Sequence, residues 1–451
     1  MRFSMRVVSV VSILLGVFVF SLRPQTPPKR IAMVGGMLIT GLDAPPIHHA
    51  VVLIEGNRIV AAGTRDAVKI PPDATVIDTS GETMLPGLID THVHLVIVGD
   101  GDYPRYFKWL DEHQKDYPLS RILDISAKQL LMAGVTSAID LGAPLQPILD
   151  VRERIKNGMP GPRLLVSGPW LTRNVAIFPP SYQIKVTSPE QAASEVDRLA
   201  AAGVDVIKAH AGLTREDYFA IVAAAHRHGL KVHAHLYDEE AVRNAFDAGV
   251  DVLQHVGSAG TPPYSAKLVA DIAASGRPVV PTAAHRVWVY PATVDFPERL
   301  DDPEFKDEFG PELYAEVMDS FKDFEGLSYF ATIDRQMFFG DKSLEQWLNS
   351  GATIGMGTDN GTPMNFHKDA LWRELKVFVD HGMSPQQAIM DATRINARIM
   401  GIPDLGTIEP GKLADVIAVE GNPLFDITAL AQVRVVVKDG TIYKGGPAAG
   451  K

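Results

Sequence analysis

Two histidines one residue apart, His92 and His94, close the segment Leu85-Pro86-Gly87-Leu88-Ile89-Asp90-Thr91-His92-Val93-His94. On an extended strand residues i and i+2 face the same way, so this spacing presents two imidazoles to one side. Alone the pattern is weak. Further along the chain, however, apolar runs end in residues of matching chemistry. Lys208 closes Asp205-Val206-Ile207-Lys208, His233-Ala234-His235 closes the next run, Gln254-His255 the one after, and Gly357-Thr358-Asp359 a later one. Neutral imidazoles with a carboxylate are the ligands that Zn²⁺, Mn²⁺ or Fe²⁺ accepts, with Zn²⁺ the default. The chain has no cysteine, which excludes thiolate sites, disulfides and cysteine nucleophiles.

These residues need a scaffold that gathers strand ends. Short apolar runs occur at Leu88 to Leu95, Ser137 to Ile139, Leu164 to Val166, Val204 to Ile207, Lys231 to His235, Val252 to His255, Pro278 to Pro281 and Thr353 to Met356. Helical patterns separate many of them, as at Pro189 to Ala202, Thr214 to His228 and Glu239 to Ala248, and several stop at a glycine. Strand-helix units in this number imply an α/β fold, a (β/α)₈ TIM barrel spanning 86–404, whose carboxyl strand ends carry the chemistry. The doubly wound open sheet is the main rival, but no glycine-rich phosphate fingerprint opens a helix. Both ends of the chain, 29–85 and 405–451, read as short strands with turns, including Asp439-Gly440 as a hairpin turn. They predict one small β-sandwich built from the two termini. The stretch 285–342 is rich in aromatic, acidic and proline residues and has no strand pattern, which predicts a functional or lid-like insertion.

A 451-residue chain with 46% hydrophobic and 22% charged residues has ample material for a large core. Its net charge of −11 argues against nucleic acid as a partner. Arg2 and Arg6 precede an uncharged apolar run, Val7 to Leu22, followed by Arg23 and a proline-rich exit. That order predicts an export signal over residues 1–28 or an uncleaved anchor, and so an exported, periplasmic or secreted protein that meets the membrane only through this segment. A homo-oligomer is left open.

The chain resembles the amidohydrolase superfamily, in its imidazolonepropionase-related and prolidase-like branch. The resemblance rests on Pro86-Gly87-Leu88-Ile89-Asp90-Thr91-His92-Val93-His94, on the ends of strands four, five, six and eight, and on the tail Gly406-Thr407-Ile408-Glu409-Pro410-Gly411-Lys412-Leu413-Ala414-Asp415. It implies two divalent metal ions, with His92, His94 and Asp359 on the more buried one and His233 and His255 on the outer one. Lys208 would bridge them as an N6-carboxylated lysine, since an amine among apolar residues loses its proton readily and can add carbon dioxide. His233 and His235 share a face and either could ligate. The family pattern selects His233, leaving His235 to face substrate. The implied reaction is hydrolysis of a C–N bond in a small amide or peptide-like substrate, such as a dipeptide or N-acyl amino acid, with Asp359 moving the proton. Tyr237, His285, Arg286 and His367 follow strands five, seven and eight and are candidates for contacting substrate. Two alternatives stand beside this reading: a deaminase with one metal and no bridging lysine, and a non-catalytic binding protein.

Overall fold

The computed structural model describes residues 29–175, 177–257, 263–285, 289, 303–322, 326, 333–369 and 371–446. The apolar N-terminal run and Arg286 lie outside the described residues, as does part of the 285–342 stretch.

Parallel strands carry the centre. We number them β1 (Leu88–Val93), β2 (Val135–Asp140), β3 (Arg163–Val166), β4 (Val206–Ala209), β5 (Lys231–His235), β6 (Val252–Gln254) and β7 (Val279–Val280). β1, β2 and β3 pair in chain order, and so do β4 to β7. Between β3 and β4 the Asp205 amide donates to the Val166 carbonyl. An eighth segment bridges β7 at Ile354, and the Thr91 and Asp359 amides, donating to the Met356 and His92 carbonyls, link it back to β1. Parallel strands in this order, with helices between them, fit a (β/α)₈ barrel. β1 and β2 are buried along their whole length, as strands covered on both faces must be. The helices begin and end as their sequences dictate. Ser188 and Asp238 cap Pro189–Ala202 and Glu239–Ala248, which stop at Gly203 and Gly249 in the left-handed region, φ 88° and 96°.

Three details differ from the expected pattern. The eighth run forms only isolated bridges, with Gly351, Gly355 and Gly357 interrupting it. β4 starts two residues later than predicted and runs one residue past Lys208, which was expected to close it. A three-residue strand, Trp170–Thr172, lies beside β4 through Leu171 and Ala209. Its length, with Pro169 in front, hid it from periodicity.

The ends of the chain meet. Arg30–Val34, Ala50–Glu55, Arg58–Thr64 and Thr75–Asp78 form one sheet. Met37–Leu38 and Glu82–Pro86 join Val416–Glu420, Val433–Lys438 and Thr441–Lys444 in another. Met33, Val52 and Ile54 of the first sheet share a buried cluster with Met84, Val416 and Val437 of the second. Asp439 and Gly440 are both left-handed, as the predicted two-residue hairpin turn requires. Within the 285–342 stretch, helix Pro311–Asp319 packs against the loop and the helix Tyr103–Glu112 that follow β1. Arg105 pairs with Glu316 through two bonds of 2.7 and 2.9 Å, and the Gly101 amide donates to Ser320 Oγ.

Candidate metal centre

The carboxyl ends of the strands converge as the strand-end chemistry requires. His92 Nε2, His94 Nε2 and one carboxylate oxygen of Asp359 belong to a group whose ligand atoms all lie within 4.8 Å of one another. Asp359 Oδ1 is 3.2 Å from His94 Nε2 and 3.6 Å from His92 Nε2. Lys208, 1% exposed, places its Nζ 3.2 Å from the same His92 Nε2. Burial pulls its ammonium down to about 7, against the attraction of Asp359 and Asp140. Burial also holds His92, His235 and His255 well below the ordinary imidazole range, so each keeps a lone pair to offer.

The backbone is shaped for this. His255, Thr282 and Asp359 all sit in the left-handed region, with φ 62°, 51° and 59°, directly after their strands. Non-glycine residues adopt it at a cost and cluster at functional sites. Asp90 supports Asp359 from β1: one oxygen accepts the His92 and Thr358 amides, and the other accepts Thr358 Oγ1 at 2.6 Å. Asp140 does the same on the opposite side, accepting the Leu95 and Gly142 amides. Thr282 Oγ1 lies 2.8 Å from His255 Nδ1 and so orients that ring.

The histidine pair of β5 is separated by Gln254. His92 Nδ1–H donates to Gln254 Oε1 at 2.9 Å, which leaves the His92 Nε2 lone pair for a metal. The amide nitrogen of Gln254 then donates to His233 Nδ1 at 3.0 Å. The proton of neutral His233 therefore sits on Nε2, a buried atom with no partner among the described residues. His233 is fully buried and does not line the cavity. His235 does line it, with its ring 4.5 Å from that of His255 and 4.4 Å from Tyr237. Of the two β5 histidines, His235 is therefore the one that faces the cavity, and the expected ligand His233 lies behind it.

The remaining candidates divide. Tyr237 lines the cavity. His285 and His367 are buried behind it. His285 Nε2 is 3.1 Å from the Pro363 carbonyl, and His367 Nε2 donates to the His94 carbonyl at 3.2 Å, so both brace loops. Arg286 lies outside the described residues. Sequence reading missed Gln254, Asp90, Asp140 and Thr282 as supports, and Trp170 as a wall. Their only signal was their place at or near strand ends.

The donor set fits metal ions. Neutral imidazoles surround one carboxylate, and a buried amine stands within reach of them. Residues 83–443 match the Amidohydrolase family, and the chain belongs to that family. It is 25% identical to 5-methylthioadenosine/S-adenosylhomocysteine deaminase of Symbiobacterium thermophilum over 89% of either chain. It is 26% identical to 5'-deoxyadenosine deaminase of Methanothermobacter thermautotrophicus over 84% of each. Its fold is also similar to the crystal structure of a Xaa-Pro dipeptidase with methionine bound in the active site. There the TM-score is 0.72 at 25% identity, covering 92% of this chain and all of the other. The protein is an enzyme, a hydrolase acting on C–N bonds.

Proposed function

We propose that this hydrolase is binuclear and cleaves the C–N bond of a small amide. The observation that carries this reading is the buried Lys208, set 3.2 Å from the metal-facing nitrogen of His92. A one-metal site has no use for a lysine there. His92, His94 and Asp359 would hold one ion and His235 and His255 the other, with Lys208 bridging as its carbamate and Zn²⁺ the expected metal. Bound, the two ions would acidify a water and polarise the scissile carbonyl. Asp359 takes the attacking water's proton and returns it to the leaving nitrogen, so that amide and water give a carboxylic acid and an amine, which part as carboxylate and ammonium. Asp90, through Thr358, holds Asp359 in place for both transfers. Dipeptides and N-acyl amino acids are the first substrates to test.

On the same reading, residues 29–85 and 405–451 would make one composite β-sandwich domain, 86–404 the catalytic barrel, and 1–28 an export signal or anchor. A second reading is a one-metal deaminase, favoured by the deaminases similar to this chain over most of its length. The test is to remove metal with a chelator, reload Zn²⁺, and identify products by mass spectrometry. An amine and a carboxylate from an amide, lost with the metal, support the proposal. Ammonia released only from aminopurine nucleosides would replace it with the deaminase.

A further inference from the structure

Beside the candidate metal centre the cavity, about 250 Å³ in volume, opens into an arm with walls of a different kind. Tyr103, Trp170 and Phe178 line one part of it, and Val96 and Ile97 contribute aliphatic surface. The aromatic rings form a continuous series starting at a metal-facing residue. Trp170 lies edge-to-face with His94 at 6.3 Å and with Phe178 at 5.0 Å, and Phe178 lies 4.8 Å from Tyr103. Gly142 makes room for the indole: a Cβ there would lie 2.4 Å from Trp170 Cε3. Trp170 is 3% exposed, and its Nε1–H is buried with no hydrogen-bond partner among the described residues. Native structures rarely leave a buried donor unpaired without a ligand or water to meet it.

Charge narrows the class of ligand. Among the described residues that line the cavity, the only acid, lysine or arginine side chains are Asp359 and Lys208, both in the metal centre. A substrate carboxylate or ammonium entering the arm would lose its hydration and find no oppositely charged side chain among the described residues lining the arm. An uncharged ring would instead replace water against aromatic faces. The whole cavity, metal centre included, measures about 250 Å³, against ~150 Å³ for an apolar cavity that holds benzene.

We propose that the arm binds an uncharged aromatic substituent next to the scissile amide, and that Trp170 sets specificity by donating its Nε1–H to an acceptor on that substituent. The inference rests on the hydrolase reading above and specifies the substrate class: aryl amides whose aromatic side is neutral.

The test compares acetanilide and 4-acetylacetanilide with glycyl-proline and N-acetylarginine on the Zn²⁺-loaded enzyme, and measures benzanilide binding to the metal-stripped protein by calorimetry. The anilides should be cleaved with the higher kcat/KM. Trp170→Phe keeps a ring but removes the N–H, so it should raise KM for 4-acetylacetanilide by about 2- to 10-fold more than for acetanilide. Phe178→Ala should weaken benzanilide binding, while circular dichroism confirms that the fold is kept. Preferred cleavage of glycyl-proline or N-acetylarginine would overturn the arm's assignment and leave the amidohydrolase reading standing. Benzanilide binding that weakens in Phe178→Ala, with none of the four amides cleaved, would support the arm and count against the amide reaction. Equal KM changes for the two anilides in Trp170→Phe, or no benzanilide binding, would overturn the proposal.

Discussion

The proposed reaction gives Asp359 two tasks, ligation and proton transfer, and a substitution can separate them. Asp359→Asn keeps an oxygen near His94 but cannot take a proton. We expect kcat to fall by about 10²- to 10⁴-fold with much of the metal retained, as read by steady-state kinetics and elemental analysis. Near-normal turnover would remove Asp359 from the chemistry. The β5 histidines give a second prediction. His235→Ala should lose an ion as well as activity. His233→Ala should keep both ions and instead lower stability by about 1–3 kcal/mol in urea unfolding, because it leaves the Gln254 amide unpaired in the interior. The residue types were legible in the sequence, since His, Lys and Asp closing one apolar run after another is the pattern of a metal site and not of a packed core. The choice between His233 and His235 was not, because alternation puts both on one face. Gln254, on the neighbouring strand, bonds His233 and leaves His235 facing the cavity, a difference that no spacing reveals.

The strands explain how such residues come to meet. Runs at both ends of the chain, such as Ala50 to Ile54 and Val433 to Val437, form strands within a residue of where hydrophobic alternation put them. Apolar patterning and turn residues determine those elements locally. The loops after the strands were less legible, because long-range partners hold them. Glu374, on helix Trp372–Asp380, accepts the amides of Ala283 and Ala284 at 2.9 and 2.7 Å and so shapes the turn that carries Thr282 beneath His255. Nothing near Glu374 in the chain marks this task. Glu374→Ala should strand two buried amides and cost about 2–5 kcal/mol in chemical denaturation. A change under about 0.5 kcal/mol, the usual scatter of an uninvolved position, would mean that the loop is held by other contacts.

At the scale of the molecule, two joints keep the parts in register. Arg163 of β3 bonds Asp415 at 2.6 Å and also Asp439, linking the barrel to the C-terminal strands. The second joint lies where helix Pro311–Asp319 covers the loop after β1. There Asp100 is buried next to Glu316, and burial raises its carboxyl to about 8. Unfolded, the same carboxyl titrates near ~4. Between those values the folded chain holds a proton that the unfolded chain has lost, so this group's contribution to stability falls as pH rises from about 4 to about 8. Asp100→Asn keeps the acceptor for the Asp102 amide and removes the titration. The variant should gain on the parent in melting temperature across that window, and a constant difference would show that Asp100 does not titrate there. The barrel was legible in the sequence because its unit repeats. The Asp100 joint was not, because its partners come from a stretch without strand pattern.

Lys208 is the residue on which a two-metal site turns. The direct measurement is metal content per chain by mass spectrometry, on the Zn²⁺-loaded protein and on Lys208→Ala. We predict two ions per parent chain and a clear loss in the variant. One ion per chain, unchanged by Lys208→Ala, would contradict the account.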